Sequence, residues 1–284
     1  MQYRGLFVGL TTLDFVYLSD RPIQPNQKIV AQDYLTVAGG PATNAAVAFA
    51  YFGDRPQLLS VIGKHPLAEL IARDLIQHSV TAIDLLPEKV DSPPVSSIIV
   101  DAATGQRGII SINAVKSQAN SKFAAEFLSE IDLILIDGHQ LEVSLNIAEI
   151  ARDKNIPVVL DGGSWKPGLE MLLANIDYAV CSANFYPPQC TQTNEVFAFL
   201  TGYGIKYIAI TQGENPILYR DRDTNSKIII PAISAVDTLG AGDIFHGAFC
   251  HYILQENFPT ALKLAADVAS KSCLSFGTRN WLEQ

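Results

Sequence analysis

Short apolar runs alternate with stretches of helical spacing along most of this chain of 284 residues. The runs that predict buried strands are 6–10, 34–40, 57–63, 132–137, 157–163, 177–182 and 206–213. Helical spacing predicts helices over 41–53, 66–79, 141–155, near 167–175, at about 240–255 and at 259–276. Strands that alternate with helices predict a mainly parallel sheet covered on both faces. Ligands then bind beyond the carboxyl ends of the strands.

Two segments do not fit this alternation. Residues 12–37 and 93–113 contain extended, partly polar runs, and the second predicts a hairpin that turns near "ATGQ". We expect both to form strands outside the main sheet. Near the C-terminal third, 216–221 and 227–232 predict an antiparallel pair around the turn "RDTNS".

Composition and charge exclude several classes of function. The formal net charge of −9 argues against a broad nucleic-acid surface, because phosphate backbones require a basic face. No apolar stretch reaches the roughly 18–20 residues of a membrane span, and the N-terminal apolar run is too short for a signal peptide. The four cysteines have no zinc spacing and are expected to be free thiols. We therefore expect a cytoplasmic protein with neither a membrane nor a nucleic-acid partner.

Familiar catalytic motifs are missing, and one stretch stands in their place. The sequence contains no Walker P-loop, no GxSxG elbow and no HExxH, and its histidines have no metal spacing. The stretch "DTLGAGD" (237–243) instead places Gly240, Ala241 and Gly242 directly before an acid, Asp243, at a predicted helix start. Backbone N–H groups converge there with the positive end of the helix, which suits a phosphate.

Two interpretations of Asp243 remain open from these residues alone. An aspartate is favoured at a helix start as a cap or as a charge that complements the dipole. Alternatively, Asp243 accepts the proton of a substrate hydroxyl while the neighbouring N–H groups hold the oxygens of a γ-phosphate.

The same stretch resembles the C-terminal signature of the ribokinase/PfkB family of carbohydrate kinases. "GGPATNAAVAFAYFG" (39–53) resembles the N-terminal signature, and "AITQGENP" (209–216) and "ASKSCLSFGTR" (269–279) resemble the late strand and the nucleotide-side helix. The resemblance is collinear over essentially the whole chain. It implies a three-layer α/β/α fold with a central, mainly parallel sheet and a small β lid. The expected core is 1–11, 38–92 and 114–284, and the expected lid is 12–37 and 93–113.

The resemblance also assigns roles at the sugar site. Asp243 matches the catalytic base, and Gly240, Ala241 and Gly242 match the anion hole beside it. The residues that match the sugar-binding set are Asp14, Gly39, Gly40 and Asn44. Bare glycines let a sugar approach the backbone, and a carboxylate with an amide can satisfy hydroxyl groups. The alternatives are a cap or loop acid for Asp14 and a satisfied buried amide for Asn44.

Further residues are assigned by position along the resemblance. Arg107 and Asn113 lie in the expected lid, either as contacts to a polar substrate or as a surface cation and a turn residue. The expected ATP-binding residues are Asn184, Thr211, Gly213, Asp237, Thr238, Ala269 and Cys273. The implied cofactors are ATP and Mg²⁺, with a monovalent cation as an open addition. The family often dimerises through its lid, so a homodimer is an open alternative.

The chain departs from the family pattern at three places. The usual NxxE, linked to Mg²⁺ through water, is Asn184-Phe-Tyr-Pro187, so that either Asn184 or Glu195 remains as a candidate near the metal. Lys64 and His65 replace an acidic pair, and Pro216 replaces a glycine. The second and third departures favour a divergent branch. The stretches "SANFYPP" (182–188) and "KIVAQDYLTVAGGP" (28–41) resemble the ketohexokinase-like or sulfofructose-kinase-like branch.

We expect phosphorylation of a hydroxyl on a small sugar or sugar-like substrate. Two alternatives are a nucleoside kinase and a non-catalytic regulator that binds nucleotide or sugar. A panel of acceptors in an ADP-release assay separates the three.

Overall fold

A computed structural model describes residues 2–21, 23–112 and 117–283 of the chain. The strands are β1 (Arg4–Val8), β2 (Thr12–Ser19), β3 (Asp33–Gly39), β4 (Arg55–Ser60), β5 (Thr81–Asp84), β6 (Val95–Asp101), β7 (Arg107–Ser111), β8 (Leu133–Ile136), β9 (Val158–Gly162), β10 (Tyr178–Ser182), β11 (Tyr207–Gln212), β12 (Asn215–Asp221) and β13 (Thr224–Ile228). The α-helices are α1 (Pro41–Tyr51), α2 (Pro66–Gln77), α3 (Leu141–Lys154), α4 (Thr193–Gly202), α5 (Ala241–Tyr252) and α6 (Phe258–Ser272).

The main sheet has nine strands in the order β13-β12-β11-β10-β9-β8-β1-β4-β5. The strands from β11 to β5 in that order are parallel, and at the other edge β12 pairs in antiparallel fashion with both β11 and β13. The expected three-layer α/β/α architecture is therefore confirmed.

Apolar packing on both faces explains the near-continuous apolar strands. In β1, Phe7 packs into a cluster with Phe49 of α1 and Phe249 of α5. Its neighbours Leu6 and Val8 point to the opposite cluster, which contains Ile147 of α3. Because successive side chains alternate across a strand, a strand covered on both faces is apolar at every position.

A small sheet lies against the carboxyl-end loops, with the order β3-β2-β6-β7. It combines the two predicted extra segments, because β2 pairs with β3 in antiparallel fashion and with β6 in parallel fashion. The predicted hairpin is also present, as β6 paired with β7. Val16, Ile98 and Val100 on its inner face form a cluster with Phe276 and Leu239. The small sheet is thus packed onto the chain segment that leads into α5.

Several predicted elements differ in the structure. The helix expected near 167–175 is instead two separate 3₁₀ turns, Leu169–Met171 and Leu173–Asn175. They follow Gly168, whose left-handed backbone (φ 87°) breaks the entry into a longer helix. The second strand of the edge hairpin was predicted to start at 227 but begins at Thr224. The turn is tighter than "RDTNS" suggests, because Arg222 adopts a left-handed φ of 53°.

Two elements, β5 and α4, were not predicted at all. The α4 helix begins with a capping box formed by Gln192 and Glu195, and Gln192 is not among the residues usually sought at a helix start. Within the part of the chain that the structure describes, no helix combines the length and apolar character that crossing a bilayer requires.

Candidate active site

The start of α5 forms an open cradle at the carboxyl end of the main sheet. Gly240 caps the helix with φ 69° and ψ 5°, a left-handed conformation that favours glycine. A Cβ on Gly240 would also lie 2.7 Å from Cγ2 of Thr278, so a side chain there is doubly disfavoured. The first helical hydrogen bond runs from Ile244 N to Gly240 O at 2.8 Å. The N–H groups of Gly242 and Asp243 precede it and have no helical acceptor.

The space in front of Gly242 is empty of protein. A Cβ built on Gly242 would meet no atom within 4 Å, and the residue is exposed. Unsatisfied N–H groups, the positive end of the helix dipole and free space together suit an anion such as a phosphate.

Asp243 lies at this cradle and is held by an amide. Nδ2 of Asn44 donates to Oδ2 of Asp243 at 2.8 Å. Burial and the charge of Asp161 raise the pKa of Asp243 to about 7, while the Asn44 hydrogen bond and His246 lower it. Asp137 adds a further upward contribution to the pKa. A carboxylate whose pKa lies near neutrality is matched to proton transfer at physiological pH.

Asp14 lies close to the glycine pair, as the sequence predicts for residues of one pocket. It is buried on β2, and Oγ1 of Thr12 donates to its Oδ1 at 2.7 Å. A Cβ on Gly39 would collide with the Asp14 carboxylate. Gly40 adopts φ 100°, and a Cβ there would collide with the carbonyl oxygen of Leu10. A side chain at Gly39 would therefore displace the Asp14 carboxylate, and one at Gly40 would require a shift of the backbone.

Burial raises the pKa of Asp14. Hydrogen bonds from Thr12 and Ser96 and the charge of Arg279 act in the opposite direction.

Arg279 is a buried residue of this site to which the sequence analysis gave no role. Its guanidinium donates to Oδ1 of Asn44 at 3.0 Å, to Oδ2 of Asp74 at 3.0 Å and to the carbonyl oxygen of Ala38 at 2.6 Å. Arg279 is only 7% exposed. The sole signal in the sequence is an arginine in the stretch "ASKSCLSFGTR", which carries no local pattern that indicates burial.

Three further ionisable residues missed by sequence analysis lie beneath the cradle. Asp137 follows β8 and accepts from Leu10 N at 2.8 Å. Although burial raises its pKa, His139 and Lys166 and the hydrogen bond from Leu10 bring the pKa to about 2.

The other two residues of this group form a pair. Asp161 and His246 approach at 3.5 Å between Oδ2 and Nδ1, and Oδ2 of Asp161 has no hydrogen-bond partner among the described residues. The His246 ring also contacts the carbonyl oxygens of Gly242 at 2.7 Å and Val180 at 3.0 Å. His246 thereby ties the first turn of α5 to β10.

The residues expected to bind ATP fall into two groups. Asn184 is exposed after β10, Thr211 donates to the carbonyl oxygen of Cys181 at 3.3 Å, and Gly213 turns with φ 62° after β11. They line the carboxyl ends of neighbouring strands, and no hydrogen bond among the described residues joins them to Asp243.

The second group supports the loop that leads into the cradle. The buried Asp237 accepts from Leu239 N and Gly277 N, both at 2.8 Å. Cys273, one turn after Ala269 at the end of α6, accepts from Val236 N at 2.8 Å through its carbonyl oxygen. The Asp237 carboxylate is therefore engaged with the backbone of its own loop.

Arg107 reaches this loop from the small sheet. Its Nη1 donates to Oγ1 of Thr238 at 2.6 Å. Thr238 in turn donates to the carbonyl oxygen of Gly105 in the β6–β7 turn at 3.4 Å. Arg107 is therefore held by a residue on the expected nucleotide side. Asn113 lies outside the described residues.

Glu195 is engaged in a local role. Its Oε2 accepts from Thr191 N at 2.6 Å and from Gln192 N at 3.1 Å, the second bond being part of the capping box of α4. The two backbone hydrogen bonds lower its pKa. No group of three or more His, Cys, Asp or Glu residues suited to a metal ion occurs within residues 2–21, 23–112 and 117–283.

The chain is similar in sequence and fold to known carbohydrate kinases. The family model described as "pfkB family carbohydrate kinase" matches residues 5–284. A deoxyribokinase of Salmonella typhi is 26% identical over 96% of this chain and 93% of its own. A ribokinase of Bacillus subtilis is 25% identical over 98% of this chain and 97% of its own length. The crystal structure of a putative ribokinase from Agrobacterium tumefaciens has a TM-score of 0.86 at 24% identity, with both chains fully covered.

Proposed function

The chain belongs to the pfkB family of carbohydrate kinases and is a carbohydrate kinase that uses ATP, and on this premise we propose that Asp243 is its catalytic base. Asp243 accepts the proton of a hydroxyl on a small sugar or sugar-like acceptor as that oxygen attacks the γ-phosphate. The observation that carries the proposal is the position of Asp243 in the first turn of α5, beside N–H groups without a helical acceptor.

The cradle from Gly240 to Asp243 stabilises the charge that develops on the transferred phosphoryl group. Ala241 and Gly242 contribute backbone and free space, since a Cβ on Gly242 would meet no protein atom within 4 Å. In this proposal the acceptor oxygen, the phosphorus and the base meet at one rigid helix end, which favours reaction by positioning.

The sugar site consists of Asp14, Gly39, Gly40 and Asn44. Asp14 orients acceptor hydroxyls through its carboxylate, and the glycines let the sugar approach the backbone. The names of the deoxyribokinase and ribokinase relatives support a pentose as the first acceptor to test. The assignment to a ketohexokinase-like or sulfofructose-kinase-like branch stays a prediction.

The small sheet acts as a lid over this site and excludes water, which competes with the sugar for the phosphoryl group. In this division the core is 1–11, 38–92 and 114–284, and the lid is 12–37 and 93–113. The packing of Val16, Ile98 and Val100 against Phe276 and Leu239 supports the placement of the small sheet against the segment that leads into α5.

Mg²⁺ fits this chain as an ion carried chiefly by the nucleotide. Magnesium ions commonly keep several waters and bind substrate phosphates with few protein ligands. Because Glu195 is engaged in the α4 cap, Asn184 is the better candidate to reach the ion through water. When bound, Mg²⁺ neutralises phosphate charge. A monovalent-cation requirement stays a prediction, tested by replacing K⁺ with a large organic cation.

The outward face of the lid supports a homodimer. Tyr17 and Tyr34 lie opposite each other on β2 and β3, and Tyr34 and Ile110 are 66% and 78% exposed. Sedimentation of the wild type beside Tyr34→Glu and Ile110→Glu tests this, because a charge in a dimer interface shifts the protein to monomers. A wild type that sediments as a monomer at all concentrations rules the dimer out.

An ADP-release assay over sugars, sugar acids, sulfosugars and nucleosides tests the function. We expect release only with a sugar-like acceptor, and a loss of roughly 10²–10⁴-fold in kcat for Asp243→Asn. Release with a nucleoside alone favours a nucleoside kinase. Tight ATP binding without turnover for any acceptor favours a regulator, and near-full turnover of Asp243→Asn removes Asp243 as the base.

A further inference from the structure

Asn44 has two chemically different ends, and the structure engages each with a different partner. Its Nδ2 donates to Asp243 at 2.8 Å, and its Oδ1 accepts from Nη1 of Arg279 at 3.0 Å. A side-chain amide rotated by 180° would exchange these ends. The amide would then turn its oxygen to the Asp243 carboxylate and its NH₂ group to Arg279.

Arg279 excludes the rotated arrangement. A guanidinium carries only N–H donors and stays protonated, so it can face only the oxygen end of an amide. A rotated Asn44 would place donor against donor at Arg279 and acceptor against acceptor at Asp243. Arg279 therefore fixes which end of Asn44 the active site meets.

Arg279 is itself fixed from three sides. Asp74 on α2 accepts from both Nη2, at 3.0 Å, and Nε, at 3.4 Å. The carbonyl oxygens of Ala38, at 2.6 Å, and Thr278, at 3.2 Å, accept from Nη2 and Nη1. This set of acceptors around a buried, planar cation leaves it one orientation.

We propose that Arg279 is a positioning residue for phosphoryl transfer, which holds the Asn44 amide so that it donates to Asp243. This inference rests on Asp243 being the base, and it adds a residue that touches neither the sugar nor the phosphate. Through Asn44, Arg279 keeps Asp243 ionised at lower pH than burial alone would allow. The sugar correspondingly meets a donor, the second hydrogen of Nδ2, at this point of the pocket.

The charged groups that act on Asp243 lie on its own helix and on or just after two neighbouring strands. Asp161 on β9 and Asp137 after β8 raise its pKa, and His246 on α5 lowers it, as does the Asn44 amide. The charge of Arg279 lowers the pKa of Asp14. Its proposed route to Asp243 is the Asn44 amide, which is hydrogen-bonded to both residues.

The test measures kcat/KM for the sugar acceptor as a function of pH in Arg279→Met, at saturating ATP. The quantity compared is the position of the acid limb of this profile. Loss of one hydrogen bond to a charged group shifts the limb upward by about one pH unit. Asn44→Leu should give a shift of the same size, and Arg279→Met combined with Asn44→Leu should give no further shift. Arg279→Lys keeps the charge, and its acid limb should lie between those of the wild type and Arg279→Met.

Arg152→Met is the matched control. Arg152 donates to Oδ1 of Asn175 at 2.7 Å, an arginine–asparagine pair on the exposed surface. Its variant should leave the acid limb unmoved. An unmoved limb in a folded Arg279→Met protein, or additive shifts in the double variant, would overturn the proposal.

A second variant covers the case in which Arg279→Met does not fold, and a titration reports the Asp243 pKa independently of activity. Should Arg279→Met fail to fold because Asp74 is left buried without its partner, the double variant Arg279→Met/Asp74→Asn removes that carboxylate charge. Titration of ¹³C-labelled aspartate carboxyls, with Asp243→Asn as the assignment control, reports the pKa without turnover. If Asp243→Asn stays active the proposed function fails, whereas the ¹³C shift still decides the role of Arg279.

Discussion

Asn44 and Asp243, 199 residues apart in the chain, meet through a hydrogen bond of 2.8 Å between an amide nitrogen and a carboxylate oxygen. The contact joins α1 to the first turn of α5 and thus the expected sugar site to the expected phosphate cradle. It also opposes burial and Asp161, which raise the pKa of Asp243. The pH dependence of the enzyme should therefore report directly on this contact.

The first prediction concerns that pH dependence. A base must be ionised to accept a proton, and the Asp243 pKa of about 7 places its ionisation in the neutral range. We expect kcat/KM to rise tenfold per pH unit below pH 7 and to level off above it. Initial rates from pH 5 to 9, with coupling enzymes in excess at each pH, measure the limb. A flat profile between pH 5 and 7 would contradict the assignment.

The same pKa predicts that stability falls with rising pH, whereas activity rises. A carboxyl whose pKa is higher in the folded than in the unfolded state binds more protons when folded, so stability falls as pH rises from about 4 to 7. Asp243→Asn removes this penalty. We expect it to raise the free energy of unfolding by up to roughly 4 kcal/mol at pH 8, at about 1.4 kcal/mol per pKa unit, and to change it little at pH 4.

Thermal unfolding of wild type and Asp243→Asn at both pH values checks this. A variant that is less stable than wild type at pH 8 would show that the ionised carboxylate is well accommodated. The inactive but stabilised variant expected here is the usual sign of a strained functional residue.

Local signals account for what could be predicted from the sequence. Continuous apolar runs mark strands covered on both faces, as in β1. Glycines before a helix mark both parts of the candidate site. Gly240 adopts a left-handed backbone at the cradle, and Gly39 leaves no room for a Cβ beside Asp14. Such requirements lie within a few residues and leave a readable pattern.

Arg279 and Asp161 could not be predicted, since their roles arise from contacts distant in sequence. Arg279 meets Asn44 across 235 residues, and nothing around "GTR" distinguishes it from a surface arginine. Asp161 lies near the end of the buried strand β9, and its partner His246 comes near only because α5 packs over β9 and β10. The α4 helix was missed because glutamine caps it.

Gly242 allows a prediction that separates function from folding. A Cβ at this position meets no protein atom within 4 Å, and the residue lies in the first turn of a helix. Gly242→Ala should therefore leave stability unchanged or raise it by roughly 0.5–1 kcal/mol. The added methyl group projects into the space proposed for the phosphate, and we expect kcat to fall at least tenfold.

Gly202→Ala in α4 is the control, because a Cβ there also meets no atom within 4 Å. It should keep full activity. Equal activity of the two alanine variants would mean that no phosphate occupies the space at Gly242.

The last prediction concerns Arg107, which links the small sheet to the loop before the cradle through Thr238 at 2.6 Å. If this contact holds the small sheet against the loop that leads into the cradle, Arg107→Met should raise the KM for ATP by several-fold and increase ATP hydrolysis without acceptor. Thr238→Val should have the same effect, since it removes the same acceptor oxygen, and the double variant should add nothing. Arg220→Met on the edge hairpin is the control. A higher KM for the sugar alone, with ATP unaffected, would instead indicate that Arg107 faces the acceptor.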